Sequence, residues 1–443
     1  MARDTPQTLT PPMGWNSWDC YGTTVTEDEV LDNATFMATH LLPHGWDTIV
    51  VDIQWYEPGA RAGGYNDNAQ VVFDEFGRQL PVPARFPSAV EPGGNNTGFT
   101  ALAARVHELG LKFGIHLMRG IPRRAVEANT TVFGTDYRAR DIADTSSVCP
   151  WNSDNYGLNH EHPGAQAYYD SQIALFAQWG IDFIKIDDML FPFHEQAIEG
   201  YARAIERSGR NITLSLSPGT NVSLNRRDFL AEHATMWRIS DDLWDRWEDV
   251  RDQFDRLVQW APHQREGAWA DADMLPLGKI GLRAERGEPR ETRLTLTEQR
   301  TLMSLWTLAK SPLMMGGDLP SSEPETIELL TNPRLLTMYR NAAPARQIHG
   351  EPDIRVWHAP PLTTGQTHYV AAFNLSDTER NWTIDLADLA PELGPATHAT
   401  NVWTGQTSRI VGNEHHPYPH LNITIPAHGV VHLELEPQET DTP

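Results

Sequence analysis

Lys185 and Asp187 stand two residues apart where the apolar run Asp182-Phe-Ile-Lys-Ile-Asp-Asp188 ends. Side chains two apart on a strand share a face. The spacing therefore sets an ammonium beside a carboxylate, which keeps the carboxylate ionised and nucleophilic. Lysine is scarce in this chain (Lys112, Lys185, Lys279 and Lys310), so one at a strand end is not generic surface decoration. Taken alone, the pair is also what a buried ion pair ordering a strand end would look like. A second group of carboxyls follows in Trp237-Arg-Ile-Ser-Asp-Asp-Leu-Trp-Asp-Arg-Trp247, where Asp241, Asp242 and Asp245 lie among three tryptophans. Apolar rings desolvate a carboxyl and raise its pKa, as a general acid requires. One ionised and one protonated carboxyl flanking an anomeric carbon is the equipment of glycoside hydrolysis. Asp187 suits the first role and Asp242 the second, while Asp241 and Asp245 read as caps of the next helix.

These residues need a scaffold that brings distant strand ends together. Residues 10 to about 335 alternate short apolar runs with amphipathic stretches, the pattern of a parallel α/β fold. Strands are expected at Met13–Trp18, Thr48–Trp55, Phe113–Met118, Asp182–Asp187, Ile212–Ser217, Ala234–Ser240, Gly267–Ala270 and Pro312–Met315. Helices are expected at Glu27–His40, Gly98–Leu109, Gly164–Trp179 and Thr297–Leu308, the last with a threonine cap. Eight such units fit a (β/α)8 TIM barrel over residues 1–340, provided the seventh and eighth strands are short. Trp18, Asp19, Asp52, His116, Arg119, Asp187, Arg238 to Asp242, Asp271, Asp273 and Asp318 fall at or just past strand C-termini, the rim where barrels build active sites. After about residue 345 the segments Ile354–His358, His368–Phe373, Trp382–Asp385, Asn401–Trp403, Arg409–Val411, His420–Ile425 and Val430–Leu435 alternate between Gly, Pro and Asn. They predict an antiparallel β-sandwich over residues 341–443, structural or oligomerising in role.

Composition removes several classes. A net charge of −24 argues against nucleic acid or an anionic membrane as partner. No apolar run approaches the roughly 20 residues that span a bilayer. The N-terminal residues lack the apolar stretch of a signal peptide, and Cys20 and Cys149 cannot build a disulfide framework, so a cytoplasmic location is expected. A metal hydrolase would draw on His160, His162, His194, Asp271 and Asp273, but no His-Glu-x-x-His is present and Pro163 puts the first pair in a loop. No metal or cofactor is expected. Cys149 lines the pocket mouth or is a buried structural thiol.

Met13-Gly-Trp-Asn-Ser-Trp18, Lys185-Ile-Asp187, Arg238-Ile-Ser-Asp-Asp242, Trp269-Ala-Asp-Ala-Asp-Met-Leu275 and Ser311-Pro-Leu-Met-Met-Gly-Gly-Asp-Leu319 together resemble glycoside hydrolase family 27. That family holds α-galactosidases, α-N-acetylgalactosaminidases and enzymes that cleave β-L-arabinopyranosides. The resemblance runs through the whole barrel in order. It implies a metal-free retaining hydrolase of oligosaccharides or small glycosides, with Asp187 as nucleophile and Asp242 as acid/base. It also implies that Trp18, Asp52, Lys185, Arg238 and Asp273 line the sugar subsite. Retention predicts carboxyl groups about 5–5.5 Å apart.

The departures bear on substrate. α-Galactosidases commonly end the second strand in Asp-Asp, whose acids grip the O4/O6 side of galactose; here Ile53 follows Asp52. Isoleucine cannot accept a hydrogen bond, and an unpaired hydroxyl in a dry pocket costs ~1–3 kcal/mol, roughly ten- to a hundredfold in discrimination. β-L-Arabinopyranose is α-D-galactose without C6 and suits such a wall. Alternatively, Ile53 packs inward and Gln54 serves O6, as an α-D-galactosidase would need. His116 replaces a frequent tyrosine. Ser215-Leu-Ser217 lacks a glutamate often found opposite C2, which leaves room for an N-acetyl group and so for α-N-acetylgalactosaminidase activity. A non-catalytic sugar-binding protein is a further alternative, though it would be expected to lack one of the two acids. The chain is also expected to be able to form homo-oligomers.

Overall fold

A computed structural model of the chain describes residues 10–220, 222–363, 367–394, 396–410 and 420–437. Eight parallel strands form one sheet: β1 Met13–Asn16, β2 Thr48–Val51, β3 Lys112–Met118, β4 Phe183–Asp187, β5 Thr213–Leu216, β6 Met236–Arg238, β7 Trp269–Asp271 and β8 Leu313–Met315. Their order is β7-β6-β5-β4-β3-β2-β1-β8, so β8 pairs back with β1 as a barrel requires. Each expected strand exists, most a residue or more shorter than expected. Unbroken apolar or β-branched runs such as Thr48-Ile-Val-Val51 are wholly buried because helices cover one face and the barrel interior fills the other. Gly14 permits the tight β1–β2 approach: a Cβ there would lie 2.4 Å from the Thr48 carbonyl oxygen.

β7 and β8 share no ladder. A single bridge between Leu275 and Met315 joins them. The Gln264 side chain does the rest: its amide NH2 donates to the carbonyls of Ala270, Ala309 and Lys310 at 2.9, 3.1 and 3.1 Å, and its oxygen accepts from Ala270 N at 2.6 Å. The Ser311 hydroxyl accepts from Ala272 N at 2.9 Å. Side chains thus close the seam that two three-residue strands leave open.

The four anticipated helices are Glu27–His40, Thr100–Glu108, Pro163–Trp179 and Leu296–Leu308. The cap of the last is Thr295, not Thr297, with Glu298 completing a capping box. A three-stranded antiparallel sheet of Ile121–Pro122, Asn155–Leu158 and Ala143–Val148 intervenes after β3. The polar, partly exposed Ala-Asp-Thr-Ser-Ser-Val gave no alternation by which to foresee it.

The C-terminal part holds β9 Arg346–Gly350, β10 Ile354–Ala359, β11 His368–Asn374, β12 Arg380–Asp385, β13 Ala396–Asn401, β14 Thr407–Arg409, β15 His420–Ile425 and β16 Val430–Pro437. A six-stranded sheet, β9-β10-β11-β16-β13-β14, is accompanied by the pair β12-β15, giving the antiparallel sandwich. β13 ends at Asn401, where a strand was expected to begin, and β14 precedes Val411, which lies outside the described residues. Alternation along β10 and β11 divides the core. Trp357, Ala359, Tyr369, Ala371 and Phe373 join the barrel's core, while Val356, Val370 and Ala372 pack with Leu386, Leu393 and Ile425 inside the sandwich.

Candidate active site

The C-terminal ends of β1 to β7 converge on two linked charge groups. In the first, Lys185 Nζ lies 3.0 Å from Asp52 Oδ2, which also accepts from Asn16 Nδ2 at 2.7 Å; the Ile53 N–H donates to Oδ1 at 2.8 Å. Burial pushes the Asp52 carboxyl up, but Lys185, His116 and these donors overcome it and hold it well below the usual range. Lys185 is raised: burial disfavours its charge, and Asp52 and Asp187 more than compensate. The ammonium's direct partner is therefore Asp52 and not Asp187, a correction to the expectation from strand spacing. Asp187 instead pairs with His116, whose Nε2 is 3.2 Å from Oδ2. The β3–β4 register makes this possible by placing His116 beside Lys185 and Met118 beside Asp187. Burial opposes charge on Asp187, yet the His116 contact and Lys185 keep its carboxyl below the ordinary value.

The second group centres on Arg238. Its Nη1 is 2.7 Å from Asp273 Oδ1 and its Nη2 3.3 Å from Asp242 Oδ1. Asp273 is buried, and burial, partly offset by Arg238, pushes its carboxyl up to about 7 with help from Asp242 and Asp271. The Leu243 N–H donates to its other oxygen at 2.7 Å. Asp242 was expected to be enclosed by indoles. Its side chain is instead 39% exposed against 14% for Asp187, so it faces the mouth. Asp245 is not a helix cap: it is buried against Arg290 at 2.6 Å. Asp241 is exposed, and the helix that follows starts only at Trp247.

Gln54, Asp188 and Asp273, each just past a barrel strand, have φ of 64°, 60° and 90°. Non-glycine residues rarely hold this left-handed region, and its cost of order 1–3 kcal/mol tends to concentrate at functional sites. Ile53 is buried in a cluster with Trp18, Met118, Cys149 and Trp269. Gln54 turns away from it: its oxygen accepts from Asn66 N at 3.1 Å and its NH2 reaches Asp154 at 3.2 Å. Cys149 packs in this cluster and is buried, and burial pushes its thiol up to about 12.

Sequence reasoning missed two contributors. Asp19 was noted on the rim only; it is buried, its Oδ2 has no hydrogen-bond partner among the described residues, and burial, Asp273 and Asp242 push it well up. Tyr65 stacks on Trp18 with ring centres 5.2 Å apart, and its phenol is raised by burial and then by Asp187, Asp242 and Asp52. It sits on a loop whose sequence carries no signal beyond Gly63-Gly64. Among the described residues no group of His, Cys, Asp and Glu is arranged to hold a metal ion. His162 is occupied as the cap of its helix, accepting from Gly164 N at 3.1 Å.

Residues 155–341 match the family described as Alpha galactosidase A, and residues 351–435 the Alpha galactosidase C-terminal beta sandwich domain. The solved β-L-arabinopyranosidase of Geobacillus stearothermophilus is 46% identical over 98% of both chains with a TM-score of 0.92, and a variant of it has been solved in complex with arabinose. An α-galactosidase of Cyamopsis tetragonoloba is 26% identical over 91% of this chain and 82% of its own length. Human α-N-acetylgalactosaminidase is 28% identical over 80% of this chain and 75% of its own. With barrel, sandwich and strand-end carboxylates all in agreement with these relatives, the chain belongs to glycoside hydrolase family 27, a family of retaining glycoside hydrolases.

Proposed function

We propose that the protein is an exo-acting β-L-arabinopyranosidase in which Asp187 is the nucleophile and Asp242 the acid/base. Asp187, kept ionised by His116 and Lys185, attacks the anomeric carbon. Asp242 gives its proton to the departing oxygen. Once ionised, it takes a proton from water, which releases the sugar with its configuration kept. Its exposure suits this role, because leaving group and incoming water both pass through the mouth. Asp52, Lys185, Arg238 and Asp273 bind the ring hydroxyls, His116 holds Asp187, and Trp18 and Ile53 form the apolar wall.

The observation that carries the substrate is the pair Ile53 and Gln54. Ile53 fills the wall with hydrocarbon, and Gln54, the alternative partner for O6, is committed to Asn66 and Asp154. A hydroxymethyl group would meet no acceptor there, whereas arabinopyranose brings none. The likeness to the Geobacillus arabinopyranosidase points the same way. The test is kcat/KM for p-nitrophenyl β-L-arabinopyranoside against p-nitrophenyl α-D-galactopyranoside. A preference of about tenfold or more for the arabinoside is expected. Equal rates, or a preference for the galactoside, would make the protein an α-galactosidase. Silence on both would favour the N-acetylated sugar, for which small Ser217 leaves room, or a binding role.

A further inference from the structure

An aromatic ladder leads out of the site. Trp18, buried beside Ile53, is covered by Tyr65 at 5.2 Å and 17°, and Tyr65 meets Trp151 at 5.5 Å and 44°. Trp151 is 37% exposed, one of the few large apolar side chains open to solvent. The innermost rung belongs to the sugar wall; the outer two have no role in it.

The loops bearing the outer rungs are fastened together beneath them. Gln54 holds the backbone of Asn66, next to Tyr65, and bonds Asp154, three residues from Trp151. The Tyr56 hydroxyl donates to Asp154 at 2.8 Å, and Asn68 N donates to the Ser153 hydroxyl at 3.0 Å. Gln54, Tyr56 and Asp154 are buried. Such an arrangement fixes two ring faces before any ligand arrives, which lowers the entropic cost of stacking on them. Tyr65 also packs against the buried cluster that holds Trp18, Ile53 and Trp244, so the ladder begins at the sugar wall.

We infer that Tyr65 and Trp151 form the leaving-group subsite, a stacking platform for a planar aryl group or a pyranose ring attached to the departing oxygen. This rests on the catalytic reading above and extends it to the other side of the bond. The apolar C–H face of a sugar and the face of an aryl ring share the same attraction for indole and phenol.

The experiment compares two leaving groups on one sugar. p-Nitrophenyl β-L-arabinopyranoside reaches the platform; β-L-arabinopyranosyl fluoride is too small to do so. Both yield the same glycosyl-enzyme, so kcat/KM isolates the step in which the leaving group departs. For Trp151→Ala the loss on the aryl substrate is expected to exceed that on the fluoride by about fivefold or more, entering through KM. Tyr65→Phe, which keeps the ring, should show a much smaller difference than Tyr65→Ala. Equal losses on both substrates would overturn the assignment by showing a merely structural role. So would an unchanged aryl rate, or a change in oligomeric state on size-exclusion chromatography without a selective aryl loss, which would make Trp151 a contact between copies. If the wild type hydrolyses neither arabinoside, the sugar reading fails by itself, and the same comparison with α-D-galactosyl fluoride and aryl α-D-galactoside tests the platform.

Discussion

Asp187 and Asp242 differ in surroundings before any substrate is present. On the proposed mechanism the covalent intermediate forms on Asp187, so Asp187→Asn should cut kcat by about 10⁴-fold or more. Asp242→Ala should lose far more rate on a poor leaving group than on an activated aryl one, since only the former needs a proton. Steady-state kinetics with both leaving groups checks this; equal losses would rule out Asp242 as the acid. On the proposed reading Ile53→Asp adds an acceptor beside C6, and it is expected to move the galactoside-to-arabinoside ratio by roughly ten- to a hundredfold toward galactoside. Asp273 adds a pH signature. Its carboxyl, pushed up to about 7, holds a proton in the folded chain that an unfolded aspartate releases near pH 4. The stability it contributes is therefore complete below about pH 4 and lost as pH rises through 7. Melting temperatures across that range should fall less steeply in Asp273→Asn. Asp52, Lys185, Asp187, Arg238 and Asp273 were legible as strand-end polar groups, and Asp242 as a motif position. Their pairing was not: period-2 spacing says which face a side chain shares, not that Asp52, on another strand, captures Lys185. Tyr65 was beyond reach, because its place depends on a loop fastened by Gln54 and Asp154.

Among the elements, the seam between β7 and β8 is where sequence and structure meet most closely. Two three-residue strands were the reluctant members of the count of eight, and they are the pair without a ladder. Gln264 takes the ladder's place with four backbone hydrogen bonds. Gln264→Ala leaves those buried groups without partners and is expected to cost about 2–4 kcal/mol, read by chemical denaturation. Asp273 follows β7 directly, so activity should fall with it. A variant as stable as the parent would mean that packing alone closes the barrel. The other strands were legible because unbroken apolar runs have few alternatives. The three-stranded insert after β3 was not, because its strands are short and polar. The sandwich strands were displaced by a few residues where Gly, Pro and Asn mark turns without fixing register.

Across the molecule, the sandwich does not stand apart from the barrel. One face of its large sheet shares the barrel's core, and helix Leu296–Leu308 lies against it. Trp403 Nε1 donates to Ser304 Oγ at 2.9 Å, Thr301 to the His428 carbonyl at 2.7 Å, and His428 stacks on Trp247 at 4.2 Å. His432 is buried in this contact, 3.2 Å from Ser304 Oγ, and burial pushes its pKa down to about 3. A histidine near 6.5 when unfolded and about 3 when folded costs nothing above 6.5, and its burial becomes progressively destabilising as pH falls toward 3. Cooperative unfolding of barrel and sandwich together, with a melting temperature that drops from pH 6.5 to 4 less in His432→Leu than in the parent, is the expected outcome by calorimetry. Among the described residues no helix is long and apolar enough to cross a membrane.

The ladder from Trp18 to Trp151 has a consequence for synthesis. A retaining mechanism is its own reverse, so the surface that receives a departing alcohol also receives an incoming one. An alcohol seated on Trp151 while the sugar is bound to Asp187 would compete with water: its oxygen forms the new bond to the anomeric carbon, Asp242 takes its proton, and Asp187 is freed. Acceptors with an aryl or pyranose face would then be glycosylated in preference to small alcohols, and Trp151, which lies outside the sugar wall, would choose the product.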